Sequence, residues 1–200
     1  MLITFEGIDC CGKSTQIKLL CEYFEKMKVD YILLREPGNT PISEQIREML
    51  LQKKYMDMSS LTELLLFSAS RAQLVEKIIS PALKDNKIVI CDRFYDSTVA
   101  YQGYGRGINL DDINNINRIS TNGLIPDITF LINISVETSF KRSEIRKGES
   151  PDRMELSGIE FFNKVANGYL EIANNNPNRF IVIDGESDPE IVFNHLVKHI

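Results

Sequence analysis

Gly7 and the run Gly12-Lys13-Ser14 have the residue types and spacing of a phosphate-binding loop, G-x-x-x-x-G-K-[ST]. Glycines let the backbone curl so that successive N–H groups point into one concavity, which can hold an anion. The lysine can reach the β- and γ-phosphates of a nucleotide, and the serine hydroxyl can ligate Mg²⁺. The residues predicted to bind the phosphate chain of a nucleotide are Gly7, Ile8, Asp9, Cys10, Cys11, Gly12, Lys13, Ser14 and Thr15.

The flanking residues give this motif the context that it requires. The apolar run Leu2 to Phe5 predicts a buried strand, and Gln16 to Phe24 predicts an amphipathic helix. A strand, a glycine loop and a helix place the positive N-terminal end of the helix at the bound phosphates. We therefore prefer a nucleotide site to a tight turn that merely contains Gly-Lys-Ser.

The rest of the chain alternates short apolar strands with helices. Further strands are predicted at 31–34, 88–91, 127–133 and 180–183, and helices at 41–51, 61–83, from about 97, 111–121, 136–146, 158–173 and from 189. This pattern is typical of a three-layer α/β/α domain of the P-loop NTPase type, with a five-stranded parallel sheet, and we expect one domain over residues 1–200. Ligands gather at the carboxyl ends of such strands, where Arg35-Glu36 and Asp92-Arg93 also fall.

Composition excludes several classes of function. The 23 Lys and Arg against 28 Asp and Glu give a formal net charge of −5, which argues against a non-specific nucleic-acid or membrane-surface binder. No stretch approaches a membrane span and no signal-type start is present, so we expect a cytoplasmic protein. Four cysteines, two of them adjacent, do not form a disulfide framework. His195 and His199 have a spacing that would suit a metal, but without further ligands we expect them to be solvated.

Five motifs in order give the chain its resemblance to the thymidylate kinase family of the bacterial type. They are FEGIDCCGKSTQ for the phosphate loop, REPGNTP for the family's REPGGTP, FSASR for F-x-x-x-R, DRFYDSTVAYQG for D-R-x-x-x-S-x-x-A-Y-Q-G, and KRSEIRKGESPDRME for an arginine-bearing lid. The resemblance implies a homodimeric kinase that transfers the γ-phosphoryl group of MgATP to dTMP, giving dTDP and ADP. It covers the chain from Phe5 to about Glu155.

Two arginines and a phenylalanine are implied by the resemblance to bind dTMP, the acceptor of the phosphoryl group. Phe67 and Arg71 lie four residues apart and so share a helix face. On residue type alone they would be a core phenylalanine and a surface arginine, and Arg93 could pair with Asp92. The resemblance instead implies that Phe67 stacks on thymine and that Arg71 and Arg93 hold the monophosphate, for which guanidinium forks are suited.

The resemblance assigns recognition of the base and the sugar to the helix that is predicted from about residue 97. The resemblance implies that Thr98 and Gln102 face the base edge, and that Tyr101 crowds the 2′ position of the sugar. A buried polar pair of this kind rejects a base that cannot match its hydrogen bonds. The residues implied to bind dTMP are Asp9, Glu36, Pro37, Phe67, Arg71, Arg93, Ser97, Thr98, Tyr101 and Gln102.

Acidic residues are candidates for the region of the metal. The family uses the aspartate at the position of Asp9 near Mg²⁺ and the 3′-hydroxyl, so Ser14 and Asp9 are the predicted metal ligands. Glu36 and Glu160 are weaker candidates, and Glu160 could equally be a charge on a helix surface.

Five basic residues occur within positions 141–153, against 23 in the 200 residues of the chain. A solvated basic helix face is the usual interpretation of such a cluster. However, the loop Gly148 to Pro151 could act as a hinge, and a closing basic lid over about 141–155 suits phosphoryl transfer. Some family members carry an arginine in the phosphate loop where this chain has Cys10, which cannot stabilise developing charge. We therefore expect Arg146 and Arg153 to act in catalysis beside Lys13, Asp9 and Arg93, with Arg142 nearer the adenine.

The acceptor chemistry separates the possible reactions. A phosphate with a second pKa of about 6 is largely dianionic at neutral pH, so a monophosphate kinase needs no general base. A nucleoside kinase would need a carboxylate, for which Asp92 or Glu36 would serve, and another nucleoside monophosphate kinase is the main alternative. A guanine-nucleotide switch would carry N-K-x-D, whereas Asn163-Lys164-Val165-Ala166 lacks the aspartate. Asn39 replaces a family glycine, and because asparagine tolerates positive φ we expect the loop to be kept.

The lid arginines generate a first prediction. Arg146→Ala or Arg153→Ala should lower kcat by orders of magnitude with little change in ATP affinity, because the charge that they neutralise develops in the transition state. Steady-state kinetics with ATP and dTMP measure this. Near-normal kcat in both single variants would remove the lid from the mechanism.

Overall fold

Five strands form one parallel sheet in this computed structural model, which describes residues 1–145 and 151–200. The strands are β1 (Leu2–Glu6), β2 (Tyr31–Arg35), β3 (Ile88–Asp92), β4 (Ile128–Asn133) and β5 (Phe180–Asp184). Their order in the sheet is β2-β3-β1-β4-β5, and all neighbouring strands are parallel. The predicted five-stranded parallel sheet is confirmed, with the strand of the phosphate loop at its centre.

Helices connect the strands at nearly the predicted positions. They are α1 (Lys13–Met27), α2 (Pro41–Leu51), α3 (Ser60–Leu74), α4 (Ser80–Lys84), α5 (Tyr95–Thr98), α6 (Leu110–Ser120), α7 (Val136–Ile145), α8 (Ile159–Asn175) and α9 (Pro189–Leu196). A π-helical turn, Val75–Ile79, joins α3 to α4, so that the long helix predicted over 61–83 is one continuous helical run. A second π-helical segment, Val99–Gly105, continues α5. In the part of the chain that is described, no helix is long and apolar enough to cross a membrane.

Side chains of β1 pack on both faces of the sheet because successive residues of a strand point to opposite sides. Ile3 and Phe5 join a cluster with residues of α1, α8 and α9, and the rings of Phe5 and Phe130 lie 5.4 Å apart. Leu2 joins a second cluster with residues of the run from α3 to α4. Helices thus cover both faces, which is the expected α/β/α layering.

The strand register brings the polar chain segments together at one edge. Phe5 of β1 is paired with Asp92 of β3, and Asp92 is paired with Arg35 of β2. The loops that follow these three strands therefore leave the sheet side by side. This edge holds the phosphate loop and the cavities described below.

Candidate active site

The loop between β1 and α1 takes the backbone conformation that its glycines allow. Gly7 has φ 136°, and a Cβ atom there would lie 2.5 Å from the carbonyl oxygen of Ile132. Gly12 has φ 103° and caps the N-terminus of α1. Because L side chains rarely adopt these angles and the space at Gly7 is closed, glycine is needed at both ends of the loop.

Lys13 provides the positive charge of this loop. Its side chain is buried, and its Nζ donates to the carbonyl oxygens of Gly7 at 3.0 Å and Ile8 at 2.9 Å. Ile8 and Cys11 are buried beneath the loop, Cys10 is half-buried, and Ser14 and Thr15 are exposed in the first turn of α1. The ammonium and the helix N-terminus make a local cationic site in an acidic protein.

Ser14 and Asp92 line one cleft and have the donor types that Mg²⁺ binds. The Oδ1 atom of Asp92 is buried and has no hydrogen-bond partner among the described residues, so it is available to an ion or to water that the ion holds. Within 1–145 and 151–200 no group of three or more His, Cys, Asp or Glu side chains is placed to hold a metal ion. A magnesium ion would therefore share its coordination with nucleotide phosphates, as is usual for Mg²⁺.

The other two predicted metal ligands are differently placed. Asp9 accepts hydrogen bonds from Arg93 Nη2 at 2.6 Å and from Tyr101 Oη at 3.3 Å. Glu160 lies exposed in the first turn of α8. Their roles at a metal stay predictions.

Arg93 joins the phosphate loop to the neighbouring cavity. Its guanidinium donates to the Gly7 carbonyl oxygen at 2.9 Å and pairs with Asp9 at 2.6 Å, rather than with the adjacent Asp92. The backbone of Arg93 has φ 68°, a strained value for a residue with a side chain. Burial raises the pKa of Asp9, but the charges of Arg93 and Lys13 lower it by more, so the pKa of Asp9 is below its ordinary value. Asp9 is therefore ionised at neutral pH.

Glu6, which the sequence analysis missed, holds the chain around Arg93. Its carboxylate is fully buried at the end of β1 and accepts from the backbone N–H of Phe94 at 2.7 Å, from Ser97 Oγ at 2.6 Å and from Tyr169 Oη at 2.8 Å. Both hydroxyls also accept from Arg93 Nη1 at 3.2 Å. Burial and the nearby Asp96 raise the pKa of Glu6 to about 7. The sequence signal that could have identified Glu6 is an acidic residue at the end of an apolar strand.

The cavity beside Arg93 collects every residue that the family resemblance implied for dTMP. All ten line it, and they are Asp9, Glu36, Pro37, Phe67, Arg71, Arg93, Ser97, Thr98, Tyr101 and Gln102. Residues that were not predicted also line it, namely Arg47, Leu51, Phe94, Asp152 and Met154. Asn39, at the substituted family glycine, has φ 68°, a positive value of the kind that asparagine tolerates.

Arg71 lies at the buried end of this cavity and is only 2% exposed. Its Nε pairs with Glu36 at 2.8 Å, its Nη2 donates to Thr98 Oγ1 at 2.9 Å, and further bonds reach Asn117 Oδ1 and the Phe94 carbonyl oxygen. Four hydrogen bonds leave about one of the five guanidinium N–H groups for a ligand. Arg71 thus has one N–H group left for a directed hydrogen bond, and its role at the monophosphate stays a prediction.

Arg47 of α2 is the cation that the sequence analysis missed in this cavity. It is half-buried, and its Nη1 donates to the Pro37 carbonyl oxygen at 3.1 Å. No short motif marks it, because it reaches the cavity only through the packing of α2 on the Glu36-Pro37 turn.

Arg142, one of the basic residues of the predicted lid, has defined contacts. Arg142 donates to the carbonyl oxygens of Gly185 at 3.1 Å and Cys10 at 3.4 Å, and it lines a cleft with Gly12, Thr15, Gln16, Ser187 and Pro189. The loop after β5 thus lines a cleft beside the phosphate loop. This position could have been predicted, because ligands gather at the carboxyl ends of parallel strands.

Arg153 departs from the expected lid geometry. It is 3% exposed, pairs with Glu63 at 2.6 Å, and donates from Nε to the Leu50 carbonyl oxygen at 2.7 Å. The turn that carries it packs on the end of α2, where the backbone N–H of Arg153 donates to Leu51. Its catalytic role stays a prediction, and Arg146, Lys147 and the expected hinge residues 148–150 lie outside the described residues.

The sheet, the glycine loop and a second cavity joined to it by an arginine define a P-loop nucleotide kinase. The family model for thymidylate kinase matches residues 5–196. Thymidylate kinases of Chlorobaculum parvum and Kosmotoga olearia are 50% and 46% identical to the chain, each over 99% of it and 94% of their own length. The crystal structure of thymidylate kinase from Ehrlichia chaffeensis superposes with a TM-score of 0.81 at 38% identity, covering 100% of this chain and 97% of that one. The chain belongs to the thymidylate kinase family.

The raised pKa of Glu6 generates a second prediction. Its pKa rises from about 4.5 to about 7 on folding, so between these values the folded state holds a proton that the unfolded state has released. Glu6 therefore contributes stability that is full below about pH 4.5 and is lost as the pH rises through 7. Glu6→Gln lacks this titrating group. When the pH is raised from 5 to 7.5, its free energy of unfolding should therefore fall by about 1–3 kcal/mol less than that of the wild type.

Urea denaturation at both pH values measures this difference. Glu171→Gln, an exposed change on α8, is the matched control and should keep the wild-type pH dependence. Parallel curves for wild type and Glu6→Gln would show that Glu6 does not titrate in this range.

Proposed function

We propose the following division of roles for the transfer of the γ-phosphoryl group of ATP to dTMP, the reaction of the family to which the chain belongs. The enzyme is an ATP-dependent dTMP kinase that forms dTDP and ADP, and family membership favours this reaction over another monophosphate kinase or a nucleoside kinase. The observation that carries the assignment of roles is the Arg93–Asp9 pair, which joins the phosphate loop to the second cavity at 2.6 Å.

ATP binds with its phosphates in the loop from Gly7 to Thr15. Lys13 lies across this loop and neutralises the β- and γ-phosphates. Ser14 and Asp92 would hold Mg²⁺, which when bound neutralises phosphate charge and orients the transferred group. The adenine lies toward Arg142 and the loop after β5, because these residues line the adjoining cleft.

The monophosphate of dTMP lies nearest to the phosphate loop. Arg93 is already fixed between the loop and the cavity, and Arg47 lines the same cavity from α2. We assign the phosphate clamp to these two guanidinium groups, since Arg71 is occupied by its protein partners.

The thymidine part of dTMP lies deeper in the cavity. Phe67, which is partly exposed there, stacks on the thymine ring. Arg71, Thr98 and Gln102 lie at the buried end and meet the base edge. Tyr101, whose hydroxyl is held by Arg93 and Asp9, lies beside the sugar and disfavours a 2′-hydroxyl.

Catalysis consists of alignment and charge neutralisation. The acceptor phosphate is largely dianionic at neutral pH, because its second pKa is about 6, so it attacks without a general base. Asp9 keeps Arg93 oriented toward both phosphates rather than abstracting a proton, consistent with its lowered pKa. The segment 141–155, with Arg146 and Arg153, is proposed as a lid that completes the cationic surroundings of the transferred group.

A panel of acceptors tests the substrate assignment. ADP release with MgATP should be fastest with dTMP, measurable with dUMP, and weak with UMP, CMP, AMP and GMP, because the cavity contains a base-stacking phenylalanine and a tyrosine beside the sugar. Initial rates from a coupled assay give kcat/KM for each acceptor. A preference for any acceptor other than a thymidine or deoxyuridine monophosphate would overturn the assignment.

We infer that the enzyme works in the cytoplasm as one domain. None of the four cysteines, all of which lie in the described part of the chain, is joined in a disulfide, which suits a reducing compartment. The five described strands form one sheet, in keeping with a single domain over residues 1–200.

A homodimer is the proposed assembly, and α3 is the surface that we assign to it. Leu61 and Leu65 lie one turn apart on α3 and are 57% and 49% exposed in the single chain. Large apolar side chains side by side on a helix that also carries the cavity residue Phe67 suit burial against a second copy.

Sedimentation velocity tests this interface. The wild type should sediment as a dimer, and Leu65→Glu should shift it to a monomer, because a carboxylate would be buried without a partner. Ile191→Glu, at a 60% exposed position on α9, is the control and should leave the dimer intact. A monomeric wild type would contradict the proposal.

A further inference from the structure

Glu63, in the first turn of α3, is a buried carboxylate that does not line the acceptor cavity. It is 1% exposed, and both of its oxygens are occupied. Oε1 accepts from Gln102 Nε2 at 2.8 Å and Arg106 Nε at 3.1 Å, and Oε2 accepts from Arg106 Nη2 at 3.2 Å. Oε2 is also paired with Arg153 Nη1 at 2.6 Å.

The two arginines keep this carboxylate charged. Burial raises the pKa of Glu63, but the hydrogen bonds from Arg106, Gln102 and Arg153 lower it by more, so the pKa of Glu63 is below its ordinary value. An ionised carboxylate only accepts hydrogen bonds. The atom of the Gln102 amide that lies 2.8 Å from Oε1 must therefore be its nitrogen.

The orientation of the Gln102 amide follows from this contact. With Nε2 held by Glu63, the amide oxygen is the group that Gln102 has left for a ligand in the cavity that it lines. An oxygen acceptor matches the N3–H donor of thymine or uracil. Cytosine has an unprotonated N3 at the same place, which would meet the amide oxygen acceptor to acceptor.

We propose that Glu63 is a specificity-determining positioning residue, which fixes the Gln102 amide so that the acceptor cavity selects pyrimidines with an N3–H donor over cytosine. This inference rests on the proposed role of Gln102 at the base edge. Glu63 acts through Gln102 and does not contact the substrate. Without it the amide is free to rotate and to present its NH₂ group to cytosine.

The pair dUMP and dCMP measures this effect, because the two differ only at N3 and C4 of the base. In Glu63→Gln, the ratio of kcat/KM for dUMP over dCMP should fall roughly 10- to 100-fold, as expected when one hydrogen-bonding match at a buried site is exchanged for another. A general loss of structure would lower both values and leave their ratio unchanged. Glu76→Gln, at an exposed carboxylate further along the same helical run, is the matched control and should keep the wild-type ratio.

A double-mutant cycle shows whether Glu63 acts through Gln102. Gln102→Ala should also lower the ratio, and adding Glu63→Gln to that background should change it no further. A wild-type ratio in folded Glu63→Gln, or an equal further drop in the Gln102→Ala background, would overturn the inference. An unchanged ratio in Gln102→Ala would instead remove Gln102 from base recognition, while phosphorylation of dTMP by the wild type tests the enzyme activity separately.

Removing one partner of a buried ion pair can prevent folding. If Glu63→Gln does not fold, Glu63→Gln combined with Arg153→Met removes both charges of the closest pair and is compared with Arg153→Met alone. The same fall in the dUMP to dCMP ratio is expected between these two variants. An equal ratio in both would refute the role of Glu63.

Discussion

The ion pair between Arg93 and Asp9 is the interaction on which the arrangement of both sites depends. Asp9 belongs to the phosphate loop and Arg93 follows the neighbouring strand, so their 2.6 Å contact fixes the loop relative to the second cavity. The positive φ of Arg93 is tolerated because Glu6 holds the next backbone N–H from beneath. A strained residue is thus stabilised by a buried carboxylate at the end of the central strand.

Two other buried carboxylates hold side chains that line the second cavity. Glu36 pairs with Arg71 at the buried end, and Glu63 engages Gln102, Arg106 and Arg153 at the side. Each carboxylate fixes the direction of a donor group that lines this cavity, Arg71 in one case and Gln102 in the other. Preorganisation of this kind reduces the reorganisation that binding and phosphoryl transfer require.

The sequence predicted the sheet and the phosphate loop from local patterns and strand ends, whereas the residues that line the second cavity were implied by motifs shared with the family. It could not predict that Arg71 is 2% exposed and occupied by four hydrogen bonds, since F-x-x-x-R specifies a helix face but not the partners packed against it. Arg47 and Glu63 were missed for the same reason. Nor could the sequence predict that long-range packing on α2 and α3 pairs Arg153 with Glu63.

The strand order has a consequence for how the enzyme is made. β1 is synthesised first, yet its hydrogen-bonding neighbours are β3 and β4, the second of which ends at Asn133. Parallel pairing over such separations carries a large entropic cost before any contact repays it. At about 5–20 residues per second, ribosomal synthesis leaves the central strand without either neighbour for several seconds. The phosphate loop, in which Gly7 packs against Ile132 of β4, therefore cannot take its final surroundings until β4 has been synthesised.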